Sequence, residues 1–139
     1  MARDLIHDAV KQALINDQWN VTDYPFDLPI MGSDKDFEVD LVSEKLLSAE
    51  KGMKKILVEV KSFLGTSILY KFHESLGQYI NYSEAIAEGG FEQTLYVGIS
   101  DTVYEEMKKI SFLERRIIQY QMKFVVVNIA TKTIVKWIE

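Results

Sequence analysis

The chain has 139 residues, 47% hydrophobic and 27% charged, which is the size and composition of one globular domain, able to bury roughly 70% of its unfolded surface. It has no cysteine and only two histidines, His7 and His73, so disulfides, thiolate zinc sites, cysteine nucleophiles and all-histidine metal sites are excluded. A metal would have to be a hard cation held by carboxylate and carbonyl oxygens, and a net charge of −5 argues against non-specific coating of DNA, which depends on cationic neutralisation of phosphates.

Residues 2–18, "ARDLIHDAVKQALINDQ", place Leu5, Ile6, Ala9, Val10, Ala13 and Leu14 at helical spacing, with Asp4, His7, Asp8 and Lys11 on the other side. This predicts an amphipathic first helix. Its charges at positions 3 and 4 do not fit a signal peptide. No apolar run approaches the roughly 20 residues that span a bilayer, so no membrane partner and a cytoplasmic location are expected. "WNVTDYPF" reads as a short strand stopped by Pro25, and Pro29, Gly32 and Ser33 signal turns. "FEVDLV" alternates, with Phe37, Val39 and Leu41 on one side and Glu38, Asp40 and Val42 on the other. "SEKLLSAEKG" is expected to be a short helix or a long connection ending at Gly52.

"KKILVEVKSF" is the most hydrophobic strand candidate. "TSILYKFHESLGQYINYSEAIAEGG" predicts a long helix with Thr66 or Ser67 as N-cap and Gly89 and Gly90 as its stop. Its apolar stripe is expected through Ile68, Phe72, Leu76 and Ile80, with Lys71, Glu74, Gln78 and Tyr82 on a different face. "FEQTLYVGIS" follows as a strand, then one or two helices in "DTVYEEMKKISFLERRIIQYQ". Two closing strands, "MKFVVVNI" and "TIVKWIE", are joined by a turn that suits a hairpin. Strands apolar on nearly both faces imply helices on both sides of the sheet. The expected architecture is a single α/β domain over residues 1–139 with a mixed central sheet.

Chemistry concentrates in "ILVEVKSF". The pleat puts Ile56, Val58 and Val60 on one face and Leu57, Glu59 and Lys61 on the other. If the strand carrying Asp40 pairs with this one, Asp40, Glu59 and Lys61 converge. Two carboxylates and a backbone carbonyl beside Glu59 suit Mg²⁺ or Mn²⁺ with waters left in its shell. Such an ion lowers the pKa of a bound water and offsets charge on a phosphodiester under attack, with Lys61 orienting the water or stabilising the developing charge. Gln78 and Tyr82, one turn apart, could support this site, and Asp8 or Asp4 could add a carboxylate.

The spacing of Asp40, 18 intervening residues and "EVK" resembles the PD-(D/E)xK nuclease superfamily, and "QYINY" resembles its QxxxY element. More closely, "ARDLIHDAVKQAL", "SAEKG", "ILVEVKSF", "FHESLGQY" and "YQMKFVVVN" resemble the XisH-like family across essentially the whole chain. That family is named for a factor controlling excision of the fdxN element in heterocyst-forming cyanobacteria and is associated with a companion protein, XisI. The resemblance implies a restriction-endonuclease-like fold. It implies Asp40 and Glu59 as metal ligands, Lys61 as the catalytic lysine and Gln78 with Tyr82 as the supporting pair. Asp8 approximates a first-helix acid that is often glutamate, and Val39 replaces the proline of the motif name. DNA, an XisI-like partner and a homo-oligomer are the implied associations.

Three functions compete. The first is a metal-dependent DNA endonuclease, or nuclease-fold subunit, in DNA excision or rearrangement. The second is a catalytically inactive protein of the same fold that regulates a recombinase or a companion protein; the acidic charge favours it. The third treats Asp40, Glu59 and Lys61 as an ordinary salt-bridge network with no metal affinity, since alternating charges on strands are usually structural pairs. His7 and His73 are expected to be surface or packing residues. "KGMKK" and "ERR" are expected to be solvated faces, and Tyr79 and Tyr82 to line the core edge.

Overall fold

A computed structural model describes residues 2–22, 26, 28–32, 46–63 and 67–139. The predicted strand "FEVDLV", with Asp40, lies outside the described residues. So do Thr66 and the side chain of Asp4.

Helix α1, Ala2–Asn16, leads into the two-residue strand β1, Asn20–Val21. Strands β2, Leu46–Lys51, and β3, Lys54–Val60, form an antiparallel hairpin. Helix α2, Ile68–Glu88, crosses to β4, Thr94–Ser100, which runs parallel to β3. Helices α3, Asp101–Lys108, and α4, Ser111–Gln119, cross to β5, Phe124–Asn128, parallel to β4. The antiparallel strand β6, Thr133–Ile138, follows. The six strands lie in the sheet in chain order, β1-β2-β3-β4-β5-β6.

The layers follow from this order. Both parallel crossovers step the same way across the sheet, so the right-handed rule sends α2, α3 and α4 to one face. That face holds Leu46, Leu57, Leu95, Val97, Ile99, Phe124 and Val126 against Phe72, Tyr79, Tyr82, Met107, Leu113 and Ile117. The other face presents Leu47, Ala49, Ile56, Val58, Val60, Val125 and Val127 to Ile6, Ala9, Val10, Ala13 and Leu14 of α1. A sheet buried on both sides explains why "ILVEV" and "FVVV" lack a polar face. The first helix sits close to the sheet because β4 carries Gly98. A Cβ there would stand 2.9 Å from Val58 Cγ1 and 3.3 Å from the Val10 methyls. The same helix is tied to the turn between β5 and β6: Asn16 Nδ2 donates to the Lys132 carbonyl at 2.9 Å, and Asp8 pairs with Lys132 Nζ at 3.0 Å.

Residues 46–51 are a strand, not the short helix or connection expected. Leu, Ala, Glu and Lys favour helix locally, but pairing on two sides overrides that weak preference. The turn fixes the register: Lys51 opposes Lys54 across Gly52 and Met53, and Gly52 has φ 61° at the first central position, as a type II′ turn requires.

Helix α2 also turns a different face inward. Its buried residues are Phe72, Ser75, Tyr79, Tyr82, Ala85 and Ile86, while Ile80 is exposed. The expected stripe through Ile80 is therefore rotated, and Tyr82 belongs to the core. The amphiphilic tyrosines outweigh the aliphatic residues because the Tyr79 hydroxyl can bury while donating to the Gln121 carbonyl at 3.2 Å. Both ends match expectation. Ser67 Oγ accepts from the Leu69 amide, and past Gly89 the amides of Gly90 and Phe91 donate to Ala87 and Ile86, a Schellman arrangement with Gly90 at φ 71°. Among the described residues no helix is long and apolar enough to cross a membrane.

Candidate functional site

Glu59 and Lys61 do share a face. Glu59 is paired in register with Leu46 of β2 on one side and Val97 of β4 on the other. Both neighbours, and Leu57 two residues earlier, belong to the layer beneath α2. Glu59 is 0% exposed, a carboxyl group set among aliphatic side chains. Burial of an ionised carboxylate is costly unless it is compensated. Here Lys61 Nζ stands 3.3 Å from Glu59 Oε1, with the lysine side chain only 10% exposed. Lys61 keeps its place because its amide donates to the Gly98 carbonyl at 2.9 Å, extending the ladder one residue past β3. Two residues on, Phe63 is buried with φ 57°. That conformation is strained for a bulky side chain, and burial of the ring holds it in place.

The long helix contributes polar atoms to the same layer. Gln78 Oε1 is buried without a hydrogen-bond partner, and so is Oγ of Ser75, a residue that is 0% exposed. Tyr82 lies in the core cluster with Leu57 and Val97. Ser75, Gln78 and Tyr82 recur at spacings of three and four, one stripe of α2. Sequence reasoning missed Ser75. Its signal was its place one turn before Gln78, obscured because a serine within a helix usually means nothing.

The remaining candidate, Asp8, is on α1, the helix on the opposite face of the sheet, where it pairs with Lys132. The structure thus brings Glu59 and Lys61 together and sets Gln78 and Tyr82 on the helix that covers them. It does not pair Asp8 with either. Among the described residues no three acidic or histidine side chains gather as a metal-binding group.

Two open cavities lie elsewhere, at the β2–β3 turn. One of about 320 Å³ is lined by Asp17, Trp19, Lys51, Lys54, Tyr96, Trp137 and Glu139, and one of about 450 Å³ by Ile15, Gln18, Trp19, Asn20, Glu50, Lys51 and Gly52. In the first, Tyr96 packs edge-on against Trp137, with ring centres 5.0 Å apart, and its hydroxyl donates to the Glu139 carboxylate. Burial, followed by that carboxylate, pushes the Tyr96 hydroxyl pKa well above its ordinary value. Burial likewise raises that of Tyr79.

Fold and site together define the class: an α/β protein with a six-stranded mixed sheet, carrying a buried acid–base pair on a central strand. Comparison with known proteins gives the family. A family model described as XisH protein matches residues 1–135. The chain is 36% identical to a fdxN element excision controlling factor protein from Anabaena variabilis, covering 99% of this chain and 100% of that one, with a TM-score of 0.88. It is 34% identical to an XisH family protein from Nostoc punctiforme PCC 73102, covering 98% of this chain and 100% of that one, with a TM-score of 0.87. No curated protein matches the chain. The chain belongs to the XisH family.

Proposed function

We propose that this chain is a Mg²⁺- or Mn²⁺-dependent endodeoxyribonuclease of the PD-(D/E)xK type, with a restriction-endonuclease-like fold, that acts in controlled excision of a DNA element. The observation that carries the reading is the Glu59–Lys61 pair, buried at 3.3 Å on a central strand. A buried ion pair is weak evidence of stability, because apolar residues would usually serve a core as well or better. Acid and base held together in a covered layer suit chemistry instead.

The excision role is carried over from the relative described as a fdxN element excision controlling factor. Asp40 and Glu59 would hold the cation. The donors are oxygens in a chain without cysteine, which fits a hard ion. Asp40 lies six residues before Leu46, the partner of Glu59 in the ladder, so the chain tethers it within about 22 Å of that position. A bound cation would supply charge neutralisation and an acidified water. Lys61 would hold the scissile phosphate's oxygen or orient the attacking water. Gln78 would offer a buried acceptor from the helix above, with Tyr82 packed beside it.

With a net charge of −5, phosphate-backbone affinity would have to come from the cation or from a companion such as an XisI-like protein. Cutting both strands would also favour a homo-oligomer. The same acidic charge favours a second reading, a nuclease-fold regulator that binds a companion and cuts nothing.

The test is cleavage of linear, supercoiled, branched and single-stranded DNA with Mg²⁺ or Mn²⁺, with and without the companion. Wild type is compared with Asp40→Ala and Glu59→Gln. Cutting lost in both variants, together with calorimetric Mn²⁺ binding that depends on both residues, is the expected result. Metal binding without cutting on any substrate would favour the regulator. Neither cutting nor metal binding would leave the charge pair as part of the architecture.

A further inference from the structure

The chain has 21 acidic side chains against 16 basic ones, and several of its lysines have carboxylate partners: Lys55 has Glu92 at 3.0 Å, Lys109 has Glu106 at 3.3 Å and Lys132 has Asp8 at 3.0 Å. Lys108 and Lys136 are arranged differently. Both are exposed, and their Nζ atoms stand 5.5 and 5.3 Å from the centre of one ring, that of Tyr104. Among the described residues neither ammonium group has a carboxylate within ion-pair distance. An aromatic face holds an exposed cation only weakly, so two like charges meet with nothing of opposite sign between them. The backbone puts Lys136 there. Val127 pairs with Ile134 and Val126 with Lys136, which leaves Val135 as an extra residue in β6. Ile134 packs on the α1 side, and strict alternation would return Lys136 to that side. The bulge sends it to the face of Val126 instead, over Tyr104 of α3.

We infer that Tyr104, Lys108 and Lys136 form a phosphate-binding site that fixes where a DNA strand lies relative to the Glu59–Lys61 pair. This rests on the DNA-directed reading above, but the site itself needs no cation. Strand register supplies the link. Lys61 follows Val60, the partner of Gly98; the next residue of β4, Ile99, pairs with Val126, itself the partner of Lys136. Lys61 and Lys136 therefore stand in one row across the sheet, on the face that carries Ile99 and Val126. At the usual strand spacing they are roughly 14 Å apart, a span of about four nucleotide steps along a strand. Two ammonium groups and the Tyr104 hydroxyl are all donors, as phosphate oxygens require. Two lysines do not reverse a net charge of −5, so the binding they supply is weak and salt-sensitive, and its effect is to set position.

The probe is a fluorescein-labelled DNA duplex, followed by fluorescence anisotropy in EDTA over a series of low salt concentrations. Wild type is compared with Lys108→Gln/Lys136→Gln and with Lys54→Gln/Lys55→Gln, which removes the same charge from the β2–β3 hairpin. The first variant should flatten the slope of log affinity against log salt by ~2, close to one for each lysine, while the hairpin variant keeps the wild-type slope. Equal slopes for wild type and Lys108→Gln/Lys136→Gln, or no duplex binding by wild type, would overturn the site. Displacement of the duplex by inorganic phosphate at constant ionic strength would identify a free-anion site and overturn the assignment to a strand. The nuclease reading fails separately, by absence of cutting with Mg²⁺ or Mn²⁺; duplex binding through Lys108 and Lys136 without cutting would keep this site and remove that reading.

Discussion

Lys61 Nζ lies 3.3 Å from Glu59 Oε1, in a layer where Glu59 has Leu46 and Val97 as its strand neighbours. The two charges depend on each other more than an exposed pair would. Removing one takes from the other, still buried, its opposite charge at 3.3 Å, whereas replacing both with apolar groups of similar size removes the penalty. Lys61→Ala should therefore destabilise the fold by about 3 kcal/mol, and the double variant Glu59→Leu/Lys61→Met should recover most of that loss. Urea unfolding of the three proteins checks this. A double variant no more stable than Lys61→Ala would mean that the pair contributes something beyond mutual neutralisation.

Gly98 and Gly77 should respond in opposite directions. At Gly98 a Cβ meets Val58 and Val10, both fully buried, so Gly98→Val should force α1 away from the sheet and cost about 2 kcal/mol. Gly77 is exposed in the middle of α2 with open space at its Cβ, and Gly77→Ala should stabilise by about 1 kcal/mol. Thermal midpoints of the two variants, moving apart around wild type, are the measurement.

Tyr96 predicts an alkaline limit. Its hydroxyl holds its proton more tightly folded than unfolded, through burial and then through Glu139. The stabilisation is therefore complete below the unfolded tyrosine value, about 10, and is lost as pH rises above it toward the higher folded value. Stability should hold from neutral pH to about pH 10 and fall above it, and Tyr96→Phe should flatten that fall while lowering stability at pH 7 by about 1 kcal/mol. Denaturant midpoints at several pH values decide it. Equal alkaline slopes for wild type and variant would count against the argument.

Capping makes a smaller prediction. The Leu69 amide loses its side-chain acceptor in Ser67→Ala, so that change should cost about 1 kcal/mol. The loss should be local, seen as faster amide exchange in the first turn of α2 rather than throughout the sheet.

Much of this was legible because strand and helix periods are local. The two-residue repeat of "ILVEVK" put Glu59 and Lys61 together, and they are an ion pair. Ser67 and Gly90 marked the ends of α2 because caps are chosen by chemistry within one turn. The errors arose where distant partners decide. "LLSAEK" is a strand because β1 and β3 flank it, and no local preference announces that. The inward face of α2 was misjudged by weighting Ile80 above Tyr79, since hydropathy does not count a hydroxyl's reach to the Gln121 carbonyl. Ser75 could be recognised only after burial was known.

The anchoring of α1 to the β5–β6 turn has a consequence for how the chain assembles. Each strand of the sheet lies beside its predecessor in the chain, so every strand pairing closes a far shorter loop than the one between α1 and the final hairpin, and shorter closures are the faster ones. Asn16 and Lys132, however, are 116 positions apart. The oily side of α1 therefore finds its full cover only when the final hairpin arrives, and a nascent chain halted before residue 132 would display it. In a cell, that interval is when a chaperone would have something to hold.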